Sequence, residues 1–148
     1  MLDFRFLEPY SPRLLSVLRI VSGAAFLEHG CMKLLHFPAP MMPGNLPMML
    51  QVAGAIELVG GALIVLGLLT KPAAFIASGE MAVAYFGFHA LNAFHMMPAG
   101  TPVSFDPQAN HGAEAALYAV IFLYIASAGP GAFAVDGVLG RKRGLNPA

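Results

Sequence analysis

Four stretches of this chain, residues 14–35, 48–69, 73–94 and 111–129, are apolar over close to the ~20 residues an α-helix needs to cross a bilayer core. Few folds accept so much apolar chain. Of the 148 residues, 57% are hydrophobic and 11% are charged, whereas a soluble domain carries about 25% charged residues. Too few charges remain to cover a water-facing surface. The chain therefore reads as a single all-α domain, a four-transmembrane-helix bundle whose main surroundings are the lipid bilayer. Its formal net charge is zero, which gives no basis for nucleic-acid binding. Cys31 is the one cysteine, so an intramolecular disulfide and a thiolate metal cluster are both excluded.

The breaks between the stretches carry the topology. Residues 1–12 end in Glu-Pro-Tyr-Ser-Pro and read as a short interfacial leader. Asp3, Arg5, Glu8 and Arg13 stand where a cleavable signal peptide has its apolar core, so the first stretch is expected to act as its own insertion signal. Residues 36–47 hold four prolines, which rule out a continuous helix; this uncharged loop is expected to rest on the membrane surface. Thr70-Lys71-Pro72 is a tight turn, with Pro72 near a helix start where its missing N–H is harmless. Residues 95–112 form a second Pro- and Gly-rich loop. Four spans put both termini on one side, together with Arg5, Arg13, Lys71 and Arg141-Lys142-Arg143. The opposite loops carry no Lys or Arg apart from Lys33 at a helix end. By the positive-inside rule both termini are cytoplasmic, in a multi-pass protein of the inner (cytoplasmic) membrane.

Polar side chains inside the spans are the functional signal, because a charge at the bilayer centre costs about 2.5–3.5 kcal/mol even on the lenient insertion scale. In the first span Arg19, Ser22, Phe26, His29 and Lys33 fall within an arc of about 80° at 100° per residue, while Glu28 points elsewhere. Tyr85, His89 and Asn92 share a stripe in the third span, and His111, Glu114 and Tyr118 in the fourth. Depth sorts these groups into two levels. Arg19 and Glu80 both lie roughly 8–11 Å in from the cytoplasmic side, which predicts an ion pair, with Glu57 as the competing partner. Glu28, His29, Lys33, Gln51, His89, Asn92, His95, His111 and Glu114 belong to the outward third, where they can line one pocket suited to proton exchange.

Each feature also has a plainer reading. Arg19 with a carboxylate serves as a lock between helices, and Lys33 reaches to the outer headgroups. A metal site needs three or four ligands at set distances. His29, His95 and His111 would have to supply it, and no pair on one helix forces them together, so the expectation is no metal. The Met-Met pairs at 41–42, 48–49 and 96–97 read as adaptable filler, with Cu(I) ligation as the alternative. Glycines at 54 and 61 permit close helix packing and also self-association into a homo-oligomer.

The run Arg19…Gly23…Phe26-Leu-Glu-His-Gly30…Lys33-Leu34 resembles the first-helix signature of the DoxX family of small four-helix membrane proteins. So do Glu57-Leu-Val-Gly-Gly61 and Asn110-His-Gly-Ala-Glu114 ahead of Gly129-Pro-Gly131. The resemblance implies a four-helix membrane bundle and a link to respiratory or redox chemistry, with other redox proteins as partners and a quinone as the group handled. Three functions follow. The first is a redox-associated subunit, such as a part of a quinone-linked oxidoreductase, whose outward pocket holds a quinone-like or other small molecule. No haem, flavin or nicotinamide motif is present in the sequence, so the electrons would come from a partner. The second is a non-enzymatic scaffold or assembly subunit. The third is a small transporter or metal-handling protein using Arg19, Glu57 and Glu80 as a path. Within the outward level, Glu28 and His29 are adjacent and point about 100° apart, so one of them faces the pocket. His29 is the expected one.

Overall fold

A computed structural model describes residues 4–94 and 100–142 of the chain; His95, Met96, Met97 and Arg143 lie outside the described residues. A 3₁₀ segment, Arg5–Tyr10, leads directly into helix α1 (Ser11–Leu34), and α2 spans Met48–Leu66. Helix α3 (Thr70–Val83) continues as a π-helical segment over Ala84–Ala90; α4 is Ala113–Ala128 and α5 is Val135–Lys142. Among the described residues there is no strand. The run Arg5–Leu34 and helix α2 are each long and apolar enough to cross a membrane, and α4 is a shorter apolar helix. Large apolar side chains stand exposed along every one of these helices, for example Val21 (63%), Val59 (60%), Ile76 (57%) and Val120 (66%). Soluble monomers rarely expose such continuous apolar surface, and lipid is its natural solvent.

Helices α1 and α2 run antiparallel and meet through glycines. A methyl group on Gly61 would lie 2.7 Å from the Leu27 backbone, and one on Gly30 would run into the backbone of Leu58. Gly23 faces Ile64 and Gly54 faces Lys33 in the same register. Only a missing side chain lets the two backbones approach this closely. Helix α3 packs on α4 through a face of Ala73, Ala74, Ala77, Ser78 and Met81, with the Ser78 hydroxyl donating to the Ala119 carbonyl at 2.7 Å. Phe26, Ile64, Phe122 and Ile125 are fully buried where the helices converge.

The end of the molecule that carries Arg13, Lys71 and α5 is held together by Arg19. The expected ion pair of Arg19 with Glu80 or Glu57 does not form. Instead the buried guanidinium donates to the carbonyls of Ile64 and Val65 at the end of α2, and to those of Pro130 and Phe133 after α4. Side chains on a helix lean toward its N-terminus. Arg19 therefore leans away from the mid-helix carboxylates and toward the last carbonyls of α2, which lack intrahelical donors. Helix α2 stops at Gly67, whose φ of 67° is left-handed, and Leu68 N–H closes back on the Leu63 carbonyl at 3.0 Å. A side chain on Gly67 would also strike Ala134.

Helix α5 lies beyond the four apolar stretches, after Gly129-Pro130-Gly131. It supplies a cap from a distant part of the chain: Asp136 accepts the N–H groups of Leu69 and Thr70 at 2.9 Å each, at the start of α3. Burial alone would raise the Asp136 carboxyl, but the hydrogen bonds from Thr70 and Leu69 and the charge of Arg19 outweigh it, so the group is held below its ordinary 3.8.

Candidate functional site

At the opposite end, where α1 finishes and α2 begins, side chains from α1, α2, α3 with its π segment, and α4 line a cleft of about 280 Å³. Helix α1 contributes His29 and Lys33, two members of the stripe read from the sequence. Helix α2 contributes Glu57, α3 contributes Glu80 and Met81, and Ala84 opens the π segment. His89 and Phe88 come from the π segment, Glu114 and Tyr118 from α4, and His111 from the turn before α4. Of the nine residues expected at the outward level, five, His29, Lys33, His89, His111 and Glu114, are brought together here, and His95 lies outside the described residues. Glu28 is exposed and does not line the cleft, as its 100° offset from His29 requires. Asn92 also lies outside it, past the π segment, at a left-handed φ of 46°. Gln51 is exposed and donates to the Leu46 carbonyl at 2.7 Å.

The sorting into two depths does not survive. Glu57 and Glu80, expected at an inner level with Arg19, line the same cleft as His29 and Glu114. Lys33, expected to reach for the headgroups, turns inward and pairs with Glu57, and both side chains are almost fully buried, at 8% and 1% exposure. The antiparallel geometry explains it. Lys33 leans toward the start of α1 and Glu57 toward the start of α2, so the two lean toward each other.

The floor of the cleft is thus one ammonium and two carboxylates. Lys33 bonds one oxygen of Glu57, and no hydrogen bond among the described residues reaches the buried Oε2 of Glu57 or that of Glu80. A buried carboxylate oxygen calls for a donor, so the floor favours a ligand that presents a hydroxyl or N–H there. At the mouth, His29 Nε2 stands 3.6 Å from Glu114 Oε1, with both side chains partly exposed. That separation exceeds a hydrogen bond, and unliganded catalytic contacts are often this loose. His89 Nδ1 lies 3.1 Å from the Asn110 carbonyl; a carbonyl can only accept, so Nδ1 carries the proton and Nε2 is the ring's basic nitrogen.

Two features that shape the cleft carried no usable signal in the sequence. The π segment replaces what a 3.6-residue period describes as ordinary helix, and π turns recur at functional sites. It is locked by the Tyr85 hydroxyl donating to the Phe105 carbonyl at 2.8 Å, and by Gly112, where a methyl group would meet His89 Cβ at 2.7 Å. The 36–47 loop folds back on α1, with Met41 N–H on the Met32 carbonyl at 3.3 Å, and this brings Met41 to the cleft wall. Tyr118 was legible on the Glu114 stripe but was not singled out. It stacks on Phe122 at 5.5 Å, and both rings pack against Phe26.

The family model for DoxX matches residues 14–90, which contain all but the first turn of α1, and α2, α3 and the π segment. The chain belongs to the DoxX family. His111 and Glu114 lie beyond the matched residues. A Haemophilus influenzae protein described as uncharacterized is 46% identical over 139 residues, covering 92% of this chain and 98% of its own length. No solved structure matches the chain. Among the described residues, no three His, Cys, Asp or Glu side chains are grouped closely enough to hold a metal ion.

Proposed function

We propose that this DoxX-family chain is a multi-pass protein of the inner membrane, and that α1, α2, α3 with its π segment, and α4 are its four spans. Both termini are cytoplasmic in this reading. The basic residues Arg5, Arg13 and Lys71 support that orientation, against loops 36–47 and 100–112, which lack Lys and Arg. The cleft then opens on the outer side and binds a small molecule with a polar head, for which a quinone or quinol ring is the best fit. One observation carries the reading: donors and acceptors from four helical elements converge on a single half-enclosed cleft with apolar walls. At about 280 Å³ the cleft falls just below the ~300–1,000 Å³ usual for ligand sites, which suits a single ring.

Oxidation of a bound quinol releases two protons and two electrons. His29 and Glu114 at the mouth can take the protons toward water, and the Glu80 oxygen can accept a quinol hydroxyl. The electrons pass to a partner redox protein.

The test is calorimetric titration of the purified protein with 2,3-dimethoxy-5-methyl-1,4-benzoquinone, which has no tail, and with its quinol. Saturable binding is expected, weakened about tenfold by His29→Ala, the loss of one good hydrogen bond. A flat titration, or one unchanged by that substitution, removes the reading. A second reading, a scaffold for another protein, draws support from exposed apolar side chains on loop 36–47, such as Phe37 at 69%. It predicts copurification with a partner whose activity survives both His29→Ala and Glu114→Gln.

A further inference from the structure

The cleft does not end at its polar floor. Ala53, Glu80, Ala84 and Phe88 line it on one side and, on the other, line the start of a groove between α2 and α3. The groove continues past Val52, Ile56 and Ile76 to Gly60, Leu63 and Ala73. Its two stretches have volumes of about 370 and 390 Å³, and Glu80 is the one polar residue along it. From Ala53 to Leu63 the groove covers ten residues of α2, about 15 Å at 1.5 Å per residue. Small side chains keep it open. Nothing lies within 4 Å of where a Gly79 methyl group would be, and Gly60 meets only Phe26, at 3.7 Å. Its rims, Val59 and Phe75, are more than half exposed, so the groove faces the surroundings of the helices rather than the core.

We propose that the ligand of the cleft enters sideways from the bilayer, and that it is an amphipath with one apolar tail lying in the α2–α3 groove. This inference rests on the reading of the cleft as a head-group site. Continuity is what commits the groove to that occupant: the residues that close the polar cleft also open the apolar groove, and Glu80 stands at the junction. A head that satisfies the Glu80 oxygen has an apolar channel immediately beside it. Because lipid is as apolar as the groove, the tail gains little hydrophobic energy by entering. The groove supplies an entry path and a shape, while the head supplies the selectivity.

The test uses the full chain in phospholipid nanodiscs with a benzoquinone bearing a decyl tail that ends in a diazirine. After irradiation, label is expected on peptides covering residues 52–63 and 73–83, and an excess of the tail-less benzoquinone should remove it. Gly79→Leu, which puts a side chain into the groove from a position whose Cβ has nothing within 4 Å, should lower that labelling about tenfold and leave calorimetric binding of the tail-less compound unchanged. Gly60→Val should act in the same direction. Label on the outward faces of α1 or α4 overturns the proposal. So does groove label that the tail-less compound fails to displace, since an ordinary phospholipid chain would then be the occupant. If the tail-less compound binds the wild-type chain but Gly79→Leu changes nothing, the lateral entry fails and the head-group site stands. If the tail-less compound does not bind at all, both fail.

Discussion

The buried Lys33–Glu57 pair can be tested against the rest of the fold by a double-mutant cycle. Exposed ion pairs contribute about 0–1 kcal/mol, and the half-exposed His29–Glu114 pair belongs to that class. Lys33 and Glu57 belong to the other class, at 8% and 1% exposure. Removing one member of such a pair leaves an uncompensated buried charge and costs about 3–5 kcal/mol, whereas replacing both with apolar residues is often neutral. Lys33→Met should cost the larger share, because it strands Glu57 beside Glu80, a second carboxylate in the same cleft. Glu57→Leu leaves Lys33 with Glu80 as its remaining nearby anion and should cost less. The double variant is expected within about 1 kcal/mol of wild type, a coupling of several kcal/mol. Unfolding in detergent can be followed by a thiol-reactive dye, because Cys31 is the one thiol and is partly buried. The Glu80→Gln background controls for the third charge. A double variant as unstable as the sum of the two singles would refute the pairing.

Three further outcomes are expected. Arg19→Met removes the donor shared by four carbonyls and should cost about 3–5 kcal/mol, and Arg19→Lys should recover only part of this, since an ammonium cannot spread over all four; a melting curve unchanged by Arg19→Met would show that the carbonyl cluster is not needed. Gly61→Leu should separate α1 from α2 and prevent folding, while Gly79→Ala, in open space, should be neutral or stabilise by up to about 1 kcal/mol, and equal effects on expression and melting would contradict the observed helix packing. The Asp136 carboxyl is held below its ordinary 3.8, so its contribution to stability is present above the unfolded-state value and is lost as pH falls through the lower folded-state value. Wild-type stability minus that of Asp136→Asn should therefore shrink below about pH 4; a difference that is constant with pH would show that the cap does not depend on charge.

How much of this was legible beforehand differs from residue to residue. The stripe from Arg19 to Lys33 and the offset of Glu28 follow from 100° per residue along one helix; the approach of His29 to Glu114 joins two helices and does not. Helix α2 starts after Pro47, where the Pro-rich loop ends, but stops at Gly67, inside the 48–69 stretch, because that glycine takes a left-handed φ. The third helix proved harder: it starts at Thr70 and turns to π geometry at Ala84, and no residue in Ala84–Ala90 announces that change.

Local period and composition are enough to make the chain helical, too apolar for water, and striped with polar side chains along the first, third and fourth apolar segments. Tertiary structure alone decided which charges meet. Partner choice depends on the register between helices and on the lean of each side chain toward its own N-terminus. A pattern within one helix holds neither quantity. Arg19 therefore found carbonyls where a carboxylate was expected, Lys33 found Glu57 where headgroups were expected, and Glu80 was left with an unsatisfied oxygen between a polar cleft and an apolar groove.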